Sequence, residues 1–224
     1  MKKPVIFDLD GTLVDSAPDI HAATNALLRA MGYQPLSLET VRGFIGNGIP
    51  KLVERVMRAS DIEFTIARHK GLCAQFEALY GERPAVKSVL YPGVRDALET
   101  LRAQGRCLGI CTNKNLDLTL QIIEALEIAP LFDAVIGGDS LDVKKPDPAP
   151  YFETLRQLGV DAAIYVGDSE IDAATAKAAK TPFALFTEGY RKAAVAAIPH
   201  DFAFSDYDRL VPMIDAMEQQ ESAA

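Results

Sequence analysis

Apolar positions along the chain fall into short β-like runs separated by stretches with helical spacing. The runs are Val5–Phe7, Leu108–Cys111, Ala134–Ile136, Ala163–Val166 and Phe183–Phe186, each followed by turn residues. Between the later runs, apolar residues recur with helical periodicity over 94–104, 116–127, 149–158 and 171–180. Strand alternating with helix predicts an α/β fold, a doubly wound parallel sheet with helices on both faces. Ligands of such sheets sit beyond the carboxyl ends of the strands, where strand order reverses. The residues immediately after each strand are therefore where chemistry is expected.

The first run breaks this rhythm. About a hundred residues separate it from the second, and they are helical in pattern over 17–31, 38–43, 49–59 and 61–80. Pro18 suits a first helical turn, Ser16 stands where its cap belongs, and Gly32 stops that helix. Gly81-Glu82-Arg83-Pro84 reads as the return linker, and Tyr91-Pro92-Gly93 opens the next helix. The expected organisation is a core of residues 1–15 and 86–224, with a helical cap of residues 16–85 folded over the sheet's carboxyl edge. The small side chains of 173–179 suit close packing of a helix on the sheet, and the tail from Glu218 to Ala224 is expected to fray.

Composition narrows the function. With 224 residues, 49% hydrophobic and 24% charged, the chain matches an ordinary globular protein with one sizeable core or a core plus a smaller domain. A net charge of −8 argues against a general nucleic-acid binder, and no apolar run reaches the roughly 18–20 residues of a membrane span. Met1-Lys2-Lys3-Pro4 leads straight into the first run, unlike a secretory leader. Cys73, Cys107 and Cys111 lack metal-ligand spacing, and the last two read as buried thiols, which fits a cytoplasmic location. His21, His69 and His200 have no metal spacing either and read as cap or surface residues.

Four post-strand segments carry the candidate chemistry. Asp8-Leu9-Asp10-Gly11-Thr12 places two carboxylates two residues apart at a strand end, where both can enter one site. A calcium loop would need carboxylates at positions 1, 3 and 5 and glycine at 6; here glycine is fourth and a strand precedes it. Thr112-Asn113-Lys114 offers a hydroxyl and an amide for phosphoryl oxygens, although Asn113 equally suits a turn or cap. Lys144-Lys145-Pro146-Asp147-Pro148 sets a lysine before a rigid proline turn. In Gly167-Asp168-Ser169-Glu170-Ile171-Asp172, Asp168 and Asp172 share one face of the opening helix, or simply favour its N-terminus.

Taken together and in this order, the four segments resemble the haloacid-dehalogenase-like hydrolase superfamily over essentially the whole chain. The resemblance implies a Rossmann-like core and a magnesium-dependent phosphatase. It makes Asp8 the nucleophile, which becomes transiently phosphorylated, and Asp10 the general acid and base. It assigns Thr112, Asn113 and Lys145 to the phosphoryl group. Asp8, the Asp10 backbone carbonyl and Asp168 are assigned to Mg²⁺, with Asp172 supporting the metal shell. The physical chemistry agrees: crowded carboxylates repel each other and a phosphate dianion, and a hard divalent cation with oxygen ligands relieves both. Asp10 must hold a proton where carboxylates are ordinarily ionised, so a cap that excludes water would contribute to the chemistry as well as to selection.

Substrate choice is expected in the cap, at Ile45-Gly46-Asn47-Gly48-Ile49-Pro50-Lys51. Gly46, Asn47 and Gly48 expose backbone N–H groups at a helix N-terminus, and Lys51 adds a positive charge; a helix-joining turn with a solvent-facing lysine is the alternative. Asp15-Ser16-Ala17-Pro18-Asp19, Gly46-Asn47-Gly48 and Tyr91-Pro92-Gly93-Val94 are similar to the bacterial phosphoglycolate phosphatases, implying a small phosphorylated metabolite, 2-phosphoglycolate, as substrate. Two segments depart from that pattern: Lys180-Thr181-Pro182, where relatives close the helix with glycine, and Thr187-Glu188-Gly189-Tyr190, where Glu188 would oppose a phosphate it faced. A pyrophosphatase, a broad sugar-phosphate phosphatase and a catalytically silent phosphate-binding module are the competing readings. A phosphoglucomutase would share the core, and a dehalogenase would need neither Asp10 nor Asp168. No membrane or nucleic-acid partner is expected, and the chain is expected as a monomer or homodimer.

Overall fold

The computed structural model describes residues 2–223. Six strands form one parallel sheet: β1 (Val5–Phe7), β4 (Leu108–Cys111), β5 (Ala134–Ile136), β6 (Ile164–Gly167), β7 (Phe183–Phe186) and β8 (Phe202–Phe204), in the order β5-β4-β1-β6-β7-β8. β1 lies at the centre, paired through Phe7 with Ile110 on one side and Val166 on the other. Successive side chains of a strand point to opposite faces. Val5 and Phe7 accordingly join one apolar cluster and Ile6 the other, and all three are fully buried. A strand buried on both faces reads as a continuous hydrophobic run, which is why these strands were legible. Strand order reverses around β1, so the crevice at its carboxyl end is where a ligand would sit.

Core helices α5 (Val94–Ala103), α6 (Leu116–Ala125), α7 (Ala149–Leu158) and α8 (Glu170–Ala179) follow the predicted spacing within a residue or two. Lys180 ends α8 in the left-handed region, φ 55°, which explains why glycine would suit that position. The tail departs from expectation. α9 (Leu210–Ala223) includes Glu218, which accepts hydrogen bonds from the Arg106 guanidinium at 2.6 and 3.0 Å and from Lys3 N at 2.8 Å. The fully buried Arg106 side chain also donates to Asp215 at 2.7 Å. Buried guanidinium thus ties the last helix to the sheet. Ala224 lies outside the described residues.

Between β2 (Val14–Asp15) and β3 (Val89–Leu90), which pair antiparallel, lie α1 (Ala17–Ala30), α2 (Leu38–Arg42), α3 (Ile49–Ala59) and α4 (Ile66–Gly81). α1 packs on α2 and α4, and α3 packs on α4. α4 starts five residues later than its apolar spacing predicts. Asp61 takes a left-handed φ of 52°, and the Thr65 hydroxyl accepts from Arg68 N as the cap. Ser16 sits at the head of α1 without capping it; its hydroxyl donates instead to Asp10 Oδ1 at 2.5 Å. Buried Asp19 accepts from Lys87 N, Ser88 N and Ser88 Oγ at 2.7–2.8 Å, fastening the returning chain to α1.

Candidate active site

Asp8 is the first residue beyond β1 and is 8% exposed. Lys145, brought up by the loop after β5, places Nζ 3.1 Å from Asp8 Oδ1. The same ammonium donates to Asp172 Oδ1 and Tyr165 Oη, each at 2.7 Å, so its position is fixed. Asp172, on the first turn of α8, is saturated with donors. Besides Lys145 and the Tyr165 hydroxyl, its Oδ2 takes Ser169 N, Ser169 Oγ and Asp168 N at 3.1, 2.6 and 3.3 Å. Asp168 follows β6 and accepts from Thr12 Oγ1 at 2.8 Å and Tyr190 N at 2.6 Å.

Glycine lets these segments approach. A Cβ on Gly189 would lie 2.2 Å from Gly11 O and 2.4 Å from Asp168 Cβ, and one on Gly11 (φ +87°) would meet Asp168 Oδ2 at 2.6 Å. Asp8, Asp168 and Asp172 each offer an oxygen such that all three lie within 4.8 Å of one another. Burial, then the Asp172 charge, pushes Asp8 up to about 6 against the pull of Lys145. Burial and repulsion from Asp172 and Asp8 hold Asp168 well above the usual carboxylate range. Burial acts the same way on Asp172, but Lys145, Ser169 and Tyr165 outweigh it and keep that carboxyl low.

Asp8 Oδ1 has no hydrogen-bond donor despite its burial, since Lys145 approaches as an ion pair without hydrogen-bond alignment. Buried carboxylates that repel one another, one with an oxygen that lacks an aligned donor, make the environment a divalent cation relieves, so the donor set fits one. Asp172, with both oxygens taken, fits a supporting place better than a direct one.

Two recesses open over Asp8 and Asp10, each lined also by Ile45 and Gly46 of the loop between α2 and α3. One faces Asp168, Asn47 and Tyr190. The other, more apolar recess is lined mainly by Ile20, Ile45, Ile49, Leu52, Phe76 and Leu118, with Thr112, Asn113, Gly48, Tyr80 and Lys114. The residues expected of the site thus mostly converge on these recesses; Lys51 does not, and Asn113 and Asp10 line them while holding other partners. The Asn113 amide donates both hydrogens, to Gly46 O and Lys145 O at 3.0 Å, and so braces the loop between α2 and α3 against the lysine loop. The Lys51 side chain is 47% exposed and bound to Glu54 at 2.7–2.8 Å, one helical turn on, so it does not line either recess. Asp10 lines both recesses, but its carboxylate is held by the Ser16 hydroxyl and the Lys114 ammonium.

Lys114 is the site residue that sequence reasoning passed over. Its side chain is 4% exposed, and Nζ meets Asp10 Oδ1 and Oδ2 at 2.9 and 2.8 Å while standing 4.8 Å above the Tyr80 ring. Burial works against the ammonium, but Asp10 and Tyr80 outweigh it and raise Lys114 above its ordinary value. The signal was its place in the Thr112–Lys114 segment; its partner on α4 was not visible from spacing. Of the other doubtful residues, Glu188 is exposed and accepts from Thr187 Oγ1 at 2.8 Å, outside both recesses. Cys111 is buried and its thiol pushed up to about 12 by burial, which makes it inert.

A family model described as haloacid dehalogenase-like hydrolase matches residues 5–186. The chain belongs to that family. It is 49% identical over 210 residues to a phosphoglycolate phosphatase of Cereibacter sphaeroides, covering 94% of this chain and 96% of that one. It is 42% identical over 215 residues to a phosphoglycolate phosphatase of Rhodobacter capsulatus, covering 96% and 98%. Among solved structures, a predicted phosphoglycolate phosphatase from Haemophilus somnus superposes with a TM-score of 0.88 at 34% identity, covering 95% of this chain and 97% of that one. These likenesses run through both the sheet and the inserted helices. Among the described residues, no helix is long and apolar enough to cross a membrane.

Proposed function

We propose that this hydrolase is a phosphatase acting on a small phosphate monoester, 2-phosphoglycolate, through an aspartyl-phosphate on Asp8. One observation carries the reading: Asp8 stands buried at the switch point of the sheet, 3.1 Å from the Lys145 ammonium and in one carboxylate cluster with Asp168. The relatives named as phosphoglycolate phosphatases supply the substrate, and residues 16–85 are read as the cap that encloses it.

Mg²⁺ would be held by Asp8, Asp168 and the Asp10 backbone carbonyl, with Asp172 behind them, and would supply charge neutralisation for the carboxylates and the phosphoryl oxygens. Lys145 favours the ionised form of Asp8 and presents positive charge to the transferring group. Asp172 and Tyr165 keep that ammonium in place. Thr112, which lines the apolar recess, offers its hydroxyl to a phosphoryl oxygen. An Asp8 oxygen attacks phosphorus, the P–O ester bond breaks, and the departing oxygen takes its proton from Asp10. Asp10 then removes a proton from the water that attacks the aspartyl-phosphate, releasing phosphate and restoring Asp8. For this, Asp10 exchanges its Lys114 contact for the ester oxygen.

The test is a panel of phosphate compounds with Mg²⁺, comparing kcat/KM for 2-phosphoglycolate, pyrophosphate and sugar phosphates. A clear preference for 2-phosphoglycolate, with free phosphate and no isomerised sugar, is expected. A flat profile would refute the substrate, and the absence of phosphate release from every ester would refute the phosphatase.

A further inference from the structure

Beyond the phosphoryl group, a substrate of this enzyme meets an apolar wall with two polar donors in it. The apolar recess is lined by aliphatic and aromatic side chains, and among the described residues lining it Lys114 is the one basic group. The second donor is Tyr80. Its hydroxyl is buried in the same wall, beside Lys114, and its proton has no acceptor. A buried hydroxyl whose proton has no acceptor is costly, and one that lines an open recess is placed to donate to what enters.

From this geometry we infer that Lys114, assisted by the Tyr80 hydroxyl, is the anchor for the substrate's carboxylate and sets the preference for acidic phosphate esters. The inference rests on the proposed phosphoglycolate reading and identifies where its specificity resides. Lys114 already holds a carboxylate with both oxygens, at 2.9 and 2.8 Å, and that carboxylate belongs to Asp10. In 2-phosphoglycolate the carboxylate carbon is two bonds from the ester oxygen that Asp10 serves. An ester oxygen at Asp10 therefore brings the substrate's own carboxylate within reach of the ammonium that Asp10 gives up. Replacement is charge-neutral at Lys114, so no buried ammonium is left unpaired, and it frees the Asp10 side chain for the ester oxygen. An ester without a carboxylate makes no such exchange, and Lys114 keeps Asp10. Lys51, the cation expected to do this from the cap, is already bound to Glu54 and half exposed.

Steady-state kinetics with Mg²⁺ on the wild type, Lys114→Met and Tyr80→Phe test this, using 2-phosphoglycolate and ethyl phosphate, which replaces the carboxylate by a methyl group. The quantity is the ratio of kcat/KM between the two substrates, because Lys114→Met also unpairs Asp10 and so slows both. In Lys114→Met the ratio should fall on the order of tenfold to a hundredfold, mainly through KM for 2-phosphoglycolate, as expected for loss of charge-assisted hydrogen bonds. In Tyr80→Phe it should fall severalfold, and this milder variant decides if Lys114→Met fails to fold. A wild-type preference that survives in the folded variants overturns the anchor and leaves the substrate reading standing. A wild type with no preference refutes the substrate reading, and the anchor with it.

Discussion

At pH 8 and without metal, Asp8 is a carboxylate that is 8% exposed, close to two others and balanced by one lysine. Asp8→Asn keeps the shape and removes the charge. In the folded protein burial and Asp172 push Asp8 to about 6, from an ordinary 3.8. Between those values the folded state holds the Asp8 proton that the unfolded chain has released. Unfolding free energy therefore falls as pH rises through the window, and above it the whole penalty is present. A shift of about 2 units corresponds to ~3 kcal/mol, an upper figure because the amide also deprives Lys145 of one carboxylate partner. Metal-free Asp8→Asn should therefore be more stable than wild type by about 1–3 kcal/mol at pH 8, a rise of several degrees in Tm for a chain of this size. Urea unfolding in EDTA at several pH values measures it, and the advantage should shrink steadily as pH falls from about 6 to about 4. A mutant less stable than wild type at pH 8, or a difference independent of pH, would refute the reasoning.

The remaining predictions concern the same cluster. Mg²⁺ should raise Tm at pH 8, because the gathered carboxylates exist only in the folded chain, and should raise it less at pH 5, where protons compete for Asp8 and Asp168; no shift at saturating metal would count against the cluster. Asp172→Asn should destabilise by about 3–5 kcal/mol, the cost of breaking a buried ion pair, since it meets Lys145 and four other donors. It should also lower kcat through a misplaced Lys145, and a loss in denaturant unfolding below about 1 kcal/mol would contradict the placement.

Much of this was legible because a doubly wound sheet reduces the search to strand ends. Asp8, Thr112, Lys145 and Asp168 all follow buried strands that read as plain hydrophobic runs, and Asp172 lies four residues beyond Asp168. The side-chain partners were harder to read. Lys51 suggested a substrate contact by sitting at a glycine-rich helix start, yet Glu54 three residues on captures it, a competition that spacing alone does not rank. Asn113 was read by its chemistry, while its environment spends the amide on two backbone carbonyls. Lys114 depends on Tyr80, 34 positions earlier in the chain, and so has no local signature. The two-residue strands β2 and β3 and the half-buried β8 carry too little periodicity to detect. α9 went unread because its anchor is a buried arginine on a distant loop.

The central claim is covalent: phosphorus resides on Asp8 during turnover. Borohydride reduces an aspartyl-phosphate to homoserine, so quenching the enzyme with borohydride during turnover of 2-phosphoglycolate, followed by peptide mass spectrometry, reads the position directly. Homoserine at residue 8 is predicted with Mg²⁺ and substrate together, and neither homoserine nor phosphate release in EDTA or in Asp8→Asn. Undiminished phosphate release by Asp8→Asn, or trapping at any other carboxylate, would contradict the account.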